Sequence, residues 1–479
     1  MAGAVVSGPT ARAAAPAGRR YSQQLGRTLR VAGNTAITLS LIGPAASVFA
    51  IGPVALGQQG SGAFLAFLLA ALVSGCLAVG WAELGALYPT AGGLYGIVAR
   101  VLGRRAGFLA LTLQLALFVI APSALALAAG HYLTALWPAV SPRAAALVLL
   151  AAAVALAVAG IRFNARVTGA ILALELTIIV VVSALGLAHA DWSLAGTLWH
   201  PRMYATDGAA VPVGLPTLLA GIVLGLGAYA GYGGAVVFSE ETQGPRRGIA
   251  QAMLGALGIA VVAELLAIVA ALLGAPSQAE LVAAPAPMSY LVRSLAGDRL
   301  VTILTLVLVA TIFNVVLAGL LDFARILYSS GRDRTWPAPF SDALGRIHPQ
   351  TRTPVVATVA IGVAALALTA VSDYAAAVTF GSLTIVASFA LIALSALVSR
   401  VVQPDLERPW RMSLWPLPPL VALAGVAVTV LLQTGRDLAI VAGILVAGLL
   451  YEAAYLRPRR HSHWLLLDPP VGERDASDD

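Results

Sequence analysis

Four carboxylates fall well inside long apolar stretches of this chain: Glu83, Glu175, Glu264 and Asp322. Ionisable groups in a hydrocarbon setting are costly, and they mark proton relays, ion pathways or buried pairs. Glu175, in ILALELTIIVV, stands more than two helical turns into its stretch from Val167. A carboxyl there suits the uptake and release of a proton as its surroundings alternate between wet and dry, the alternative being a structural hydrogen bond. Glu83 precedes the polar segment YPTAGGLY and is placed to anchor a loop. Asp322 lies three residues before Arg325, a spacing that puts an ion pair on one helix face. Glu264, in VVAELLAIVA, has no partner near it in sequence and is left to a hydrogen bond with a neighbouring helix. Asn314, with Thr311 one turn earlier, supplies polar groups either to a substrate or ion or as a bridge between helices. Tyr229 and Tyr232 share a helix face, so their rings either cap a substrate or pack as core, and Gln114 is a further polar candidate.

Backbone irregularity is the second chemical signal. GNTAITLSLIGPAASVFAIGP carries Gly43 and Pro44 near its middle, followed by Ala45, Ala46 and Ser47. Proline there removes a donor and clashes with the preceding turn. A later stretch, GIVLGLGAYAGYGGAVVF, holds Gly221, Gly225, Gly227, Gly231, Gly233 and Gly234, a poor helix interior. Irregular backbone at membrane depth is tolerated only where it lines a protein-enclosed or watery cavity. Freed amides suit a carboxylate and freed carbonyls an ammonium or cation, so an amino acid matches both. The alternative is close helix packing through small residues.

The elements that must position these groups follow from composition. Of 479 residues 59% are apolar and 11% charged, which excludes a soluble domain. Twelve stretches reach the ~20 residues a membrane-crossing helix needs or come near it. They lie near Gly33 to Gly57, Gly62 to Tyr88, Gly107 to Ala135, Ala144 to Gly160, Val167 to Ala188, Thr217 to Phe238, Ile249 to Leu273, Leu300 to Phe323, Val355 to Val371, Ala375 to Ser399, Ser413 to Leu432 and Leu438 to Leu456. All 29 basic residues are Arg, and with the N-terminus inside 24 of them fall on cytoplasmic segments; Arg143, Arg202, Arg293, Arg299 and Arg436 fall outside. That asymmetry predicts twelve spans with both termini cytoplasmic in the plasma membrane. No apolar leader precedes the first span, so no cleaved signal peptide is expected. The sole cysteine, Cys76, excludes an internal disulfide and a CxxC metal site. His461 and His463 sit beside Arg459 and Arg460, and no metal or cofactor is expected. The isoelectric point near 9.8 reflects inner loops facing anionic lipid, with no nucleic-acid partner.

Interrupted spans at corresponding places in two halves point to a secondary transporter with inverted repeats. Three stretches also resemble the amino acid/polyamine/organocation permease superfamily. The second span ends in AELGALYPTAGGLYGIVARVLG, the sixth runs into FSEETQGPRRGIAQAML from Glu240 through Pro245, Arg246, Arg247 and Ile249, and the eighth ends in FARILYSSGRDRTWP before IHPQTRTPVVA. The resemblance implies an all-α integral membrane protein of twelve helices, a LeuT-type fold with five-plus-five inverted repeats and two extra helices. The implied order is a basic segment 1–32, a first repeat 33–190, an extracellular loop 191–212, a second repeat 213–400, helices eleven and twelve in 401–456 and a cytoplasmic tail 457–479.

The same resemblance places the unwound substrate-binding stretches on Gly43, Pro44, Ala45, Ala46 and Ser47 and on Tyr229, Ala230, Gly231, Tyr232 and Gly233. Asn314 joins them, and Phe49 with Tyr232 is placed to close the cavity. It also puts Glu175 beside the broken first helix, as the proton-coupling group. Two departures stand out: Ala45-Ala46-Ser47 replaces the usual glycine-serine-glycine, and Gly233 replaces an acid that many members carry. The expected function is alternating-access transport, proton-coupled uptake of a neutral amino acid, with exchange or polyamine and organic-cation transport as alternatives and sodium as the alternative coupling ion. No P-loop occurs in a chain without lysine, no selectivity-filter motif suggests a channel, and no convergent His, Asp, Glu or Ser set suggests an enzyme. Nothing marks an oligomer face.

Overall fold

The computed structural model describes residues 24–204, 209–372, 374–433 and 435–467. The expectations for residues 1–23, for part of the loop at 205–208 and for 468–479 lie outside the described residues. In chain order the helices are α1 (Val31–Ile42), α2 (Pro44–Ala50), α3 (Gly52–Gln59), α4 (Ala63–Leu87), α5 (Gly93–Val101), α6 (Arg104–Leu136), α7 (Pro142–Ala157), α8 (Ile161–Ala188), α9 (Leu194–Trp199) and α10 (Leu215–Ala228). There follow α11 (Gly234–Val237), α12 (Arg247–Gly274), α13 (Gln278–Ala283), α14 (Pro287–Ala296), α15 (Asp298–Arg332), α16 (Ala338–Leu344), α17 (Val355–Val371), α18 (Tyr374–Val402), α19 (Leu417–Leu431) and α20 (Gly435–Tyr451). Among the described residues the one sheet is a two-stranded antiparallel ribbon, Arg202–Tyr204 with Ala210–Pro212, between α9 and α10.

Among the described residues eight helical runs are long and apolar enough to cross a membrane: Val31–Ala50, Gly52–Leu87, Arg104–Thr134, Ile161–Ala188, Arg247–Gly274, Asp298–Arg332, Thr384–Val402 and Leu438–Leu456. Four shorter apolar helices, α7, α10, α17 and α19, coincide with the remaining expected stretches. α10 is short because the chain leaves the helix at Tyr229, where the glycine run offers little helical propensity. Leu72, Val148, Val262 and Val371 are exposed on outer faces, as apolar surface turned toward hydrocarbon would be, since each helix satisfies its own backbone.

The centre of the bundle is held by the discontinuous helices. α1 packs against α8, α12 and α15, while α10 packs against α4 and α15 against α6 and α8. Asn34 at the start of α1 donates its amide to Ala235 O and Thr242 Oγ1, 3.0 Å each. The backbone of Leu29 bridges to Thr242, so the chain leading into α1 runs beside the segment leaving α11. Both interrupted helices therefore share one anchor.

The segment after α20 folds back onto the body. Trp464 is buried, its ring packed on Tyr95 and Phe108, with the indole N–H donating to Arg104 O at 3.0 Å. Leu465 N donates to Asp333 O at 2.8 Å, Leu467 N to Asp333 Oδ1 at 3.1 Å, and Arg100 to Leu467 O at 2.8 Å. Residues 457–467, expected only as a tail, thus form a strap across α5, the start of α6 and the end of α15.

Candidate functional site

The first interruption is set by two adjacent residues. Gly43 takes φ 64°, the left-handed region, and Pro44 opens α2 as its first residue, where a missing N–H costs nothing. One freed amide, Ala45 N–H, donates to Glu175 Oε1 at 2.8 Å. Glu175 is buried on α8, and its Oε2 has no hydrogen-bond partner among the described residues. The second interruption spans 229–233, between α10 and α11, with Gly231 at φ 121°. Ser47 Oγ donates to Ala228 O at 2.9 Å, satisfying a carbonyl at the end of α10 from within α2. The two breaks are therefore stitched to each other as well as to α8.

Beside the second break lies a cavity of about 170 Å³. Ala230, Gly231 and Gly233 line it, and Leu41, Gln114, Phe118, Asp322 and Phe389 reach it from α1, α6, α15 and α18. Trp81 lies edge-on to Tyr232 and to Phe389, and Tyr232 stacks on Phe389 with ring centres 5.9 Å apart. The side of the site nearest Gly233 is thus an aromatic wall. Space at Gly233 is already taken: a Cβ there would stand 2.3 Å from the Trp81 ring. A side chain at this position therefore needs Trp81 to move. Gly233→Ala is expected to cost about 1–3 kcal/mol through overpacking. Combining it with Trp81→Phe should recover part of the loss, read as the unfolding midpoint in detergent.

The other expected site residues sit around this cavity rather than on its wall. Gly43 through Ser47 lie at the first break, one layer away. Tyr229 is buried edge-on to Phe67, and its hydroxyl has no hydrogen-bond partner among the described residues; the same holds for Tyr232. Asn314 donates to Thr168 O at 3.3 Å, bridging α15 to α8, while its Oδ1 and Thr311 Oγ1 are without partners among the described residues. Phe49 is buried, and its carbonyl accepts the Tyr132 hydroxyl at 2.7 Å. Glu264 on α12 is fully buried with neither carboxylate oxygen hydrogen-bonded among the described residues, and it lies within electrostatic reach of Glu175 and Tyr229. The hydrogen bond expected for it is not found among them.

One sequence expectation is corrected here. Arg325 does not pair with Asp322: its Nε and Nη2 go to Glu241, the second at 3.0 Å, and its Nη1 to Leu321 O at 2.6 Å. Helical spacing brings Asp322 and Arg325 to one side of α15, but a carboxylate from another segment offers a bidentate fit that an i, i+3 neighbour cannot match. Asp322 Oδ1 is left without a hydrogen-bond partner among the described residues. Trp81, Phe389 and Ser388 were missed as site residues. Their only sequence signal was aromatic or polar character inside an apolar stretch, which many core residues share.

The three motif stretches meet at one end of the bundle. Ala91 N donates to Glu240 Oε1 at 2.8 Å, Arg332 pairs with Glu240 at 3.0 Å, and Tyr95 hydroxyl bonds Ser329 and Asp333 at 2.8 and 2.9 Å. Glu83 does anchor a loop, though not its own: it pairs with Arg400 and Arg408 and accepts Met412 N at 2.7 Å.

Two interrupted helices thus meet beside a cavity, and buried ion pairs join separate segments at one end of the bundle. Residues 31–450 match the family described as amino acid permease. The chain belongs to that family, within the amino acid/polyamine/organocation superfamily. It is 31% identical over 424 residues to an uncharacterized transporter of Mycobacterium tuberculosis, covering 87% of each chain. It is 25% identical to the methylthioribose transporter of Bacillus subtilis, over 92% of this chain and 95% of the other. The branched-chain amino acid permease of the same organism is 23% identical over 81% of this chain and 85% of its own length.

Proposed function

We propose that this protein is a secondary active amino acid transporter that works by alternating access across the plasma membrane. In this reading the eight long and four shorter apolar helices are twelve spans with cytoplasmic termini, in keeping with the arginine distribution. Residues 33–190 and 213–400 are the inverted five-helix repeats, 191–212 is extracellular, and 401–456 adds two helices. The observation that carries it is the cavity at the break between α10 and α11, walled by Ala230, Gly231 and Gly233. Substrate binds there, and the alternation of the site brings Tyr229, Tyr232 and the first break at 43–47, which lie just behind the wall, into contact with it, with Asn314 behind and Phe49 and Tyr232 closing the path. The substrate is taken as a neutral amino acid, and the name of the branched-chain permease relative is in keeping with that.

Glu175 is the proton-coupling group. Its Oε1 holds Ala45 N–H, an amide freed by the first interruption, and its free Oε2 can take a proton without breaking that bond. A charged carboxylate and its neutral acid hold the half-helix N-terminus with different strength, so loading a proton changes the grip of α8 on α2. The test is uptake of labelled neutral amino acids into proteoliposomes with and without an inward proton gradient. Wild type is expected to accelerate severalfold with the gradient, whereas Glu175→Gln should transport at a rate indifferent to it. An unchanged gradient response in the variant would remove Glu175 from coupling, and uptake that needs internal substrate instead would identify an exchanger.

A further inference from the structure

Among the described residues that line the cavity one is acidic, and the transport reading leaves it unused. Asp322 is 5% exposed, lines the cavity, and its Oδ1 has no hydrogen-bond partner among the described residues. That oxygen faces the second break, since a Cβ on Gly234 would stand 3.2 Å from it. The cation at helical spacing, Arg325, is committed to Glu241 and to Leu321 O. No Arg or His is among the described residues that line the cavity.

The rest of the wall narrows what can sit against this carboxylate. Trp81, Phe118, Phe323 and Phe389 contribute ring surface, and Phe118 stacks on Phe323 with centres 4.5 Å apart. Ser388 donates its hydroxyl to Thr384 O at 2.9 Å. Gln114 presents another acceptor, Oε1, without a partner among the described residues. Aromatic faces attract cations, a buried carboxylate calls for one, and a free amide oxygen accepts a further N–H. For an anionic group the described wall offers backbone amides but no cationic side chain, and the amide of Ala45, freed at the first break, is held by Glu175.

We propose that Asp322 is the ammonium-binding residue of the substrate site, and that the substrate is an amine whose apolar body lies on the aromatic wall and whose carboxylate, where present, contributes little to affinity. This deepens the transport reading and rests on it. The acid that Gly233 lacks on the sixth span is supplied by the eighth, facing the same break. A basic or carboxylate-free substrate, which the loss of an acid at Gly233 would disfavour, is therefore within the reach of this site.

The test compares matched trios built on leucine, phenylalanine and lysine: each amino acid, the amine that lacks its carboxylate, and the acid that lacks its α-amino group. Binding to the purified protein is read by calorimetry and uptake by proteoliposome assay. At least one amino acid is expected to bind with its decarboxylated amine within about tenfold of it, while the deaminated leucine and phenylalanine acids do not bind. Asp322→Asn should weaken binding of both ammonium compounds roughly 100-fold, the usual consequence of truncating one partner of a buried charged contact, and Asp322→Glu should recover part of it. Size-exclusion profiles and unfolding midpoints establish that the variants are folded. Binding of the deaminated leucine or phenylalanine acid as tight as that of its amino acid, amines that all bind more than about tenfold weaker than their amino acids, or an Asp322→Asn variant whose affinity stays within about threefold of wild type, overturns the proposal while leaving transport intact. If no ammonium compound in the panel binds or is carried by wild type, both the proposal and the amino acid transport reading fall.

Discussion

Arg325→Met, with Glu241 retained, is expected to destabilise the protein by about 3–5 kcal/mol, because removing one partner strands an uncompensated buried charge. Arg325 is 1% exposed and Glu241 is fully buried, so solvent cannot take over the lost contacts. Glu241 also accepts Thr28 N and Leu29 N on its backbone carbonyl, 2.9 Å each, so its displacement would loosen the approach to α1. The double variant Glu241→Leu, Arg325→Met should be far less destabilised than the single one, since a buried pair can often be replaced by apolar residues of similar volume. Unfolding midpoints in detergent for the four members of the cycle read the effect. A single variant as stable as wild type would show that the pair carries no structural weight.

Gly231→Ala is expected to abolish transport while its neighbour Gly227→Ala leaves it intact. Gly231 sits at φ 121°, a region closed to residues with a Cβ, and that Cβ would stand 2.9 Å from Ile42 N and Leu41 C. These are backbone atoms at the end of α1, so neither rotamer change nor side-chain repacking relieves the clash. The two breaks would have to separate, and a displacement of about 1 Å in a site of this kind costs roughly 100-fold in rate. At Gly227 a Cβ would have no neighbouring atom within 4 Å, and the residue lies in α10, where alanine is the better helix former. Uptake rates of the two variants, normalised to folded protein, decide the matter; equal rates would mean that the crossing of the breaks is not part of the transport machinery.

Much of this architecture was legible in the chain because it rests on local rules. Gly43-Pro44 breaks α1 by the absence of a donor and a steric clash, and the glycine run ends α10 by propensity; neither needs a distant partner. Glu175 was legible as a buried carboxylate in an unbroken apolar run. What escaped was pairwise and long-range. Asp322 read as the partner of Arg325 because spacing along one helix is visible, while the competing carboxylate, Glu241, is 84 residues away in the chain. Gly233 read as a missing acid, and only the position of Trp81 on α4 shows that the site is filled. The aromatic wall draws Trp81, Phe118 and Phe389 from three different helices, and no periodicity along any one of them encodes the meeting.

The strap at 457–467 carries a consequence for a shortened chain. Its seat is formed by Tyr95, Phe108 and Asp333, with Tyr451 of α20 stacked on Phe108, and the residue that fills it, Trp464, follows α1 to α20 in the chain. The last aromatic residue described in the chain is therefore the one that covers Tyr95 and the edge of Phe108, so a copy cut before Trp464 is expected to leave those rings uncovered, which a dye that lights up on apolar surface would register.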